Sequence, residues 1–260
     1  MINLTMLSAR HYNLILYKAL ADLRAEATKT YIGSLWWILD PIIFMVIFYV
    51  VFGLLLKRGT ENYVPFLLIG LVSWRWFQNT ISHSATAILG GRNLMRQVYI
   101  PKIIFPLVII LEDLFKFGLV LGVLIIYLWL SGFKPGICYL GLPFLLTAQF
   151  FLTLGLTLLV SAVVPFAPDL KFLVEHSLHI LFYFSGIFFS GTTIQEHYKH
   201  YFYLNPMANI IEAYRDILMY REWPNWLALI LITALGLSIT SLAYWWLSRN
   251  DHLYPKLVQR

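Results

Sequence analysis

The sequence predicts an all-α integral membrane protein, and three observations carry that prediction. The chain of 260 residues is 60% hydrophobic and only 12% charged, with a mean hydropathy of +0.72. A soluble domain is about 45–50% apolar and about 25% charged, and a chain this short cannot hide such an excess in one core. Six stretches approach the roughly 20 apolar residues that a bilayer core demands. Lys and Arg are unevenly shared between the connections, which is the mark of membrane topology.

The elements follow in chain order. Residues 1–30 are expected to form an amphipathic helix. Tyr12, Leu16, Leu20 and Leu23 recur at helical spacing, with Lys18, Asp22 and Lys29 on another face. Such a helix lies along the membrane surface or packs on a partner. These residues lack the uninterrupted apolar run of a cleavable signal, so the first span is expected to stay in the mature chain.

The spans are expected at 35–56, 64–89, 103–130, 139–164, 172–189 and 226–247. The first opens with Trp36, Trp37, Asp40 and Pro41, where the proline either starts the helix proper or kinks it. The second carries Arg75, and the third Glu112, Asp113 and Lys116. The fourth is the least interrupted, and the fifth is short and holds Glu175, His176 and His179. Between the fifth and sixth, residues 191–224 are too long for a turn. There Met207, Ile210, Ile211, Tyr214 and Leu218 follow helical spacing after an Asn205-Pro206 break. That stripe predicts an amphipathic helix outside the spans. It either dips into the outer interface and caps a pathway or is a surface ornament. No repeat and no low-complexity linker divides the chain, so one domain is expected.

Eleven Lys and Arg fall on the side of the N-terminus, the second and fourth loops and the tail, against six on the other side. Both termini are therefore expected to be cytoplasmic. The same placement explains the net charge of +6 without nucleic acid, for which no basic stripe interleaved with aromatics exists. The one cysteine, Cys138, excludes an internal disulfide.

Several chemistries lack their signatures. The sequence has no G-x-x-x-x-G-K-[ST] loop, no G-x-S-x-G elbow and no H-E-x-x-H. Gly90–Asn93 reads GGRN, without the lysine that a phosphate loop needs. "EHSLH" at 175–179 and "EHYKH" at 196–200 each put two histidines three residues apart, a spacing that suits a metal. The expected topology puts them on opposite sides of the membrane, so polar helix ends are the better reading, and neither a metal site nor a catalytic residue is expected.

Charges inside spans cost at least about 2.5–3.5 kcal/mol each at mid-bilayer. Glu112 and Lys116 are spaced to pair on one face. Asp113 points about 100° away from Glu112 and needs another partner, with Arg75 a candidate. These residues act as interhelical glue or line a polar pathway. Trp36, Trp37, Trp74, Trp76, Trp226 and the Tyr244–Trp246 run form an interfacial belt or offer stacking faces to sugar rings.

Three blocks together resemble the membrane subunits of ABC transporters that export lipid-linked polysaccharides such as O-antigen, capsule and teichoic acid. They are "YIGSLWWILDPIIFMVIFYVVFG" (31–53), "RNLMRQVYIPKIIFPLVIILEDL" (92–114) and "YLNPMANIIEAYRDIL" (203–218), in matching order across nearly the whole chain. Two departures stand out. The first block is one residue shorter than the family pattern, and Ser185-Gly186 stands where the family often has Ser-Pro. Glycine allows a bend there without imposing one.

The resemblance implies a homodimer in the bacterial cytoplasmic membrane, docked on a separate cytoplasmic ATPase that holds the ATP and Mg²⁺; this chain itself would need no cofactor. It implies that 91–101 includes a coupling helix, with Arg92, Asn93, Arg96 and Gln97 meeting the ATPase. It implies a pathway lined by the first and fifth helices, here Trp36, Trp37, Asp40, Phe44, Tyr183 and Phe184. It implies an external gate containing Tyr203, Asn205, Pro206, Glu212 and Arg215. Arg75, Glu112, Asp113 and Lys116 are the intramembrane polar set. A drug or small lipid as cargo remains an alternative. So does a membrane-embedded transferase using Glu175, His176 and His179.

Overall fold

The computed structural model describes residues 9–51 and 62–257. The end of the expected first span, 52–56, lies outside them. The described residues form helices without a strand. In chain order these are α1 (Ala9–Thr28), α2 (Trp36–Phe48), α3 (Tyr63–Ser84), α4 (Ala87–Gly90), α5 (Arg92–Gln97), α6 (Ile104–Leu130), α7 (Leu142–Val163), α8 (Leu170–Phe184), α9 (Glu196–Tyr203), α10 (Pro206–Arg215), α11 (Trp226–Asn250) and α12 (Tyr254–Leu257). Among the described residues, three helical runs are long and apolar enough to cross a membrane: Gly33–Val51, Ile137–Val163 and Trp226–Asn250.

Local chemistry sets where the helices stop. The apolar run expected over 64–89 breaks after Ser84. The Ser84 hydroxyl donates to the Ile81 carbonyl at 2.7 Å and the Thr86 hydroxyl to the His83 carbonyl at 3.3 Å. Such side chains compete with the helical ladder. At the start of α2 a 3-10 turn, Gly33–Leu35, leads directly into Trp36. The helix then continues through Pro41, five residues inside it, so the proline does not start the helix. α8 ends at Phe184, before the expected boundary of 189. Gly186 takes φ +70, a left-handed conformation that favours glycine, so the bend that its sequence only permits is made.

The buried face of α1 is Ile15, Ala19 and Leu23, packed toward α6, whereas Tyr12 and Leu20 remain exposed. The apolar arc of the helix is thus only partly covered by the protein, and its remainder is open to a membrane surface. α3 is the centre of the bundle, buried almost continuously from Val64 to Phe77 against α6, α7 and α10. α7 and α11 pack at backbone distance. A Cβ on Gly236 would fall 2.5 Å from the Leu152 nitrogen, and one on Gly155 would fall 2.8 Å from the Gly236 carbonyl oxygen. The bundle has two ends. One carries α1, α4, α5 and α12, where Ile15, Ile88, Ile104, Leu158 and Tyr254 belong to one apolar cluster; the other carries α9, α10 and the 185–191 segment, where Ile187, Met207 and Ile210 belong to another.

Candidate functional site

A cavity of about 380 Å³ lies between α2, α3 and α6. The indoles of Trp36, Trp37 and Trp76 and the rings of Phe44 and Phe117 form its walls. Trp76 and Phe117 stack with centroids 4.4 Å apart. Charged groups are set into this aromatic lining as pairs. Arg75 Nη1 donates to Asp40 Oδ2 at 3.3 Å, and its guanidinium carbon sits 3.5 Å from the centroid of Phe44. The Asp40 side chain is 67% exposed and that of Arg75 37%, so the pair stands on the rim. Deeper, the Asp113 carboxylate accepts from His83 Nδ1 at 3.0 Å.

The third pair joins three elements. Lys116 Nζ on α6 donates to Glu26 Oε2 on α1 at 2.6 Å, and Trp37 Nε1 on α2 donates to Glu26 Oε1 at 3.2 Å. Partial burial opposes the charge on Glu26. The hydrogen bond and charge of Lys116, with the Trp37 N–H, outweigh it and hold the carboxyl below the usual range.

These pairings differ from the expected ones. Arg75 is the candidate partner for Asp113, but Asp113 meets His83 and Arg75 meets Asp40. Lys116 is spaced to pair with Glu112 four residues away and instead reaches Glu26 on α1. Helical spacing brings Glu112 and Lys116 onto one face, but a long lysine chain can leave that face for a carboxylate on a neighbouring helix. Glu112 does not line the cavity. Of the expected pathway residues, Trp36, Trp37, Asp40 and Phe44 come together here. Tyr183 and Phe184 do not: they are exposed on α8. Phe184 borders a second, mostly apolar cavity of about 730 Å³, with Phe189, Tyr198, Tyr201 and Phe202.

The expected gate residues converge on the break after α8. Arg215 is 1% exposed. Its Nη1 donates to the Gly186 carbonyl and its Nη2 to the Ile187 carbonyl, both at 2.9 Å, and Nε donates to the Phe66 carbonyl at 3.3 Å. The guanidinium also sits 3.4 Å from the centroid of Phe66. Glu212 Oε1 accepts from the Gly191 N–H at 2.7 Å. Asn205 caps α10 by accepting from the Met207 N–H at 3.0 Å, and its amide donates to the Ser185 hydroxyl at 2.9 Å. Pro206 occupies the first helical position, where its missing N–H costs nothing. Tyr203, beside Glu212, has its hydroxyl pushed up to about 12 by burial and by that carboxylate.

The expected stripe of Met207, Ile210, Ile211, Tyr214 and Leu218 is buried throughout. It faces α3 and α7 rather than a membrane interface. The Tyr214 hydroxyl donates to Gln149 Oε1 at 2.7 Å, and Gln149 Nε2 donates to the Ser73 carbonyl at 2.8 Å.

Sequence reasoning did not single out Glu26, His83 or Gln149. Gln149 left a usable signal, an amide in the middle of the least polar span. The coupling candidates lie on α5, a single exposed helical segment. Asn93, Arg96 and Gln97 are exposed there, and Gly91 precedes it, packed so closely on the Phe105 ring that a Cβ would collide. On the histidine stretches, His176 Nδ1 donates to the Phe172 carbonyl at 2.7 Å, and no group of three or more His, Cys, Asp or Glu among the described residues is arranged to hold a metal.

Known proteins are similar in sequence to this chain along most of its length. The O-antigen export system permease protein RfbA of Klebsiella pneumoniae is 26% identical over 224 residues, covering 85% of this chain and 86% of the relative. RfbA of Myxococcus xanthus is 25% identical over 206 residues, covering 78% and 79%. The polysialic acid transport protein KpsM of Escherichia coli is 25% identical over 203 residues, covering 77% and 79%. The model of the ABC-2 type transporter family matches residues 23–219, and with three-quarters of its length inside that match the chain belongs to the ABC-2 type transporter family.

Proposed function

We propose that this chain is the membrane-spanning subunit of an ATP-driven exporter that moves lipid-linked polysaccharide across the bacterial cytoplasmic membrane. The observation that carries the reading is the similarity, over most of both chains, to permeases named for O-antigen and polysialic acid. The cavity between α2, α3 and α6 agrees with it chemically. Indole and phenyl faces stack weakly on sugar rings without demanding one sequence of sugars. Weak, repeated contacts suit a moving polymer, because a tight site would stall it.

In this reading the chain crosses the membrane six times with both termini in the cytoplasm. α3, α6 and α8 join the three strongly apolar runs. Two copies form the transporter, and a cytoplasmic ATPase supplies ATP and Mg²⁺. α5 is the coupling helix, with Arg92, Asn93, Arg96 and Gln97 toward the ATPase. Trp36, Trp37 and the Asp40–Arg75 pair form a polar mouth at the cytoplasmic side. The α9–α10 region, held to 185–191 by Asn205, Glu212 and Arg215, is the external gate and moves as one block.

The test is export in cells that carry this chain with its neighbouring ATPase. The reading predicts that a hydrolysis-dead ATPase abolishes surface polysaccharide and that the ATPase co-purifies with this chain. Export that persists without hydrolysis contradicts it.

A further inference from the structure

The segment after α5 is bound to the far end of the sequence. Asp251 directly follows α11. Its Oδ1 accepts from the Lys102 backbone N–H at 3.0 Å, and its Oδ2 accepts from Lys102 Nζ at 3.2 Å and from the Tyr99 hydroxyl at 2.8 Å. The Lys102 side chain is only 2% exposed, and its ammonium lies 4.6 Å from the centroid of the Tyr99 ring. Hydrogen bond and charge from Asp251, with partial burial, push the Tyr99 hydroxyl up from its ordinary value. Three donors on one carboxylate make a short, directional tie of the charge-assisted kind.

What lies behind Asp251 is stiff. Tyr254 of α12 is fully buried, and its hydroxyl donates to the Ala162 carbonyl in the last turn of α7 at 2.9 Å. Phe166 packs edge-on against Tyr254 at 5.3 Å and Trp246 at 6.4 Å. α11 and α7 meet backbone to backbone at Gly236 and Gly155, with no room for a Cβ on either, so the two helices pack as one close unit. The 91–101 loop therefore has two outlets. One is the chain itself, which leads into α6. The other is Asp251, which leads into the α7–α11 pair.

We infer that Asp251 is a positioning residue that carries displacement of the 91–101 loop into α7 and α11, so that this pair moves together with α6. The inference rests on the exporter reading above. Asp251 lies beyond residues 23–219, the part of the chain that the family model matches.

Removing Asp251 alone strands a buried ammonium, so the test needs a variant that separates stranding from transmission. The assembled transporter, this chain with its ATPase, is compared as wild type, Asp251→Asn, Lys102→Met/Asp251→Asn and Tyr99→Phe. Export of the cell's own polysaccharide is read by periodate–hydrazide labelling of intact cells, and ATP hydrolysis and melting are read on the purified complex. Asp251→Asn lowers export about tenfold while hydrolysis stays within about twofold, an uncoupling of the size that transmission residues produce. The double variant regains wild-type melting because the stranded charge is gone, yet export stays low. Tyr99→Phe, which removes one exposed hydroxyl, lowers export about two- to threefold. The inference is overturned if the double variant restores export, if Asp251→Asn exports normally, or if hydrolysis falls in step with export. A hydrolysis-dead ATPase beside the wild-type chain tests the underlying reading separately: export that persists there removes the exporter reading whatever Asp251 does.

Discussion

At the α10 end, the Arg215 guanidinium is met by the backbone carbonyls of Phe66, Gly186 and Ile187. At the α1 end, Lys116 is met by the side chain of Glu26. Backbone acceptors cannot rotate away, and Arg215 is almost wholly buried. The side chain of Glu26 is 45% exposed, and it sits on a helix whose apolar arc is only partly covered. One end is locked by a group that has nowhere else to go. The other is joined, at Glu26 and Lys116, by a partly exposed side-chain pair that can exchange partners. The two ends therefore differ in how readily their contacts can rearrange.

The largest expected effect comes from breaking the lock. Arg215→Met leaves the buried carbonyls of Gly186 and Ile187 unmet, while that of Phe66 keeps its bond within α3, and lowers stability by about 3 kcal/mol or more, read by thermal unfolding in detergent. Arg215→Lys rescues little, because an ammonium cannot span three carbonyls in the plane of a guanidinium. A loss under about 1 kcal/mol from either variant means that the 185–191 bend is held by something else. Gln149→Leu comes next. It strands the Tyr214 hydroxyl, the Ser73 carbonyl keeping its bond within α3, and costs about 1–3 kcal/mol in the same assay.

The α1 end responds more weakly in stability and more strongly in function. Glu26→Gln costs at most about 1 kcal/mol, as partly exposed ion pairs do. Export nevertheless falls, because α1, α2 and α6 lose their common joint. Unchanged export would detach that joint from transport.

Acid acts with opposite sign at the two ends. Glu26 titrates below the ordinary glutamate value of 4.5, so its contribution is complete above that value and is lost as the pH falls through the lowered pKa. Asp216 is raised to about 6, first by burial and then by Glu212 and Glu222, against the pull of Arg215. Its contribution is complete below its ordinary value of 3.8 and is lost as the pH rises through about 6. Amides of the 216–222 segment are therefore expected to exchange more slowly at pH 5.5 than at pH 7.5 after correction for intrinsic rates. Asp216→Asn removes that difference. A difference that survives the substitution assigns it to another group.

The sequence carried the helices better than their partners. The stripe from Met207 to Leu218 announced α10 because burial on one face repeats every three or four residues. It did not say which surface would cover that face, since a lipid interface and a neighbouring helix ask for the same apolar side chains. Asn205, Glu212 and Arg215 were legible as a group, through a resemblance between whole blocks. Their target, the unwound chain at 185–191, was not, because backbone carbonyls leave no trace in a residue pattern. The ion pairs failed for a related reason. Glu26 and Lys116, Asp40 and Arg75, and His83 and Asp113 each join residues at least thirty apart, while helical spacing speaks only of residues three or four apart. Gly186 stands between these cases. Its composition permitted a bend, and Asn205 and Arg215 made it.

The central claim is that the α1 end yields while the α10 end moves as a block. Hydrogen–deuterium exchange on the complete transporter, with and without a non-hydrolysable ATP analogue, tests it most directly. The account predicts that nucleotide changes exchange across α1 and 84–104, while the amides of 185–191 and α10 keep their slow rates. Faster exchange in 185–191 and α10 upon nucleotide binding, with 84–104 unchanged, would contradict it.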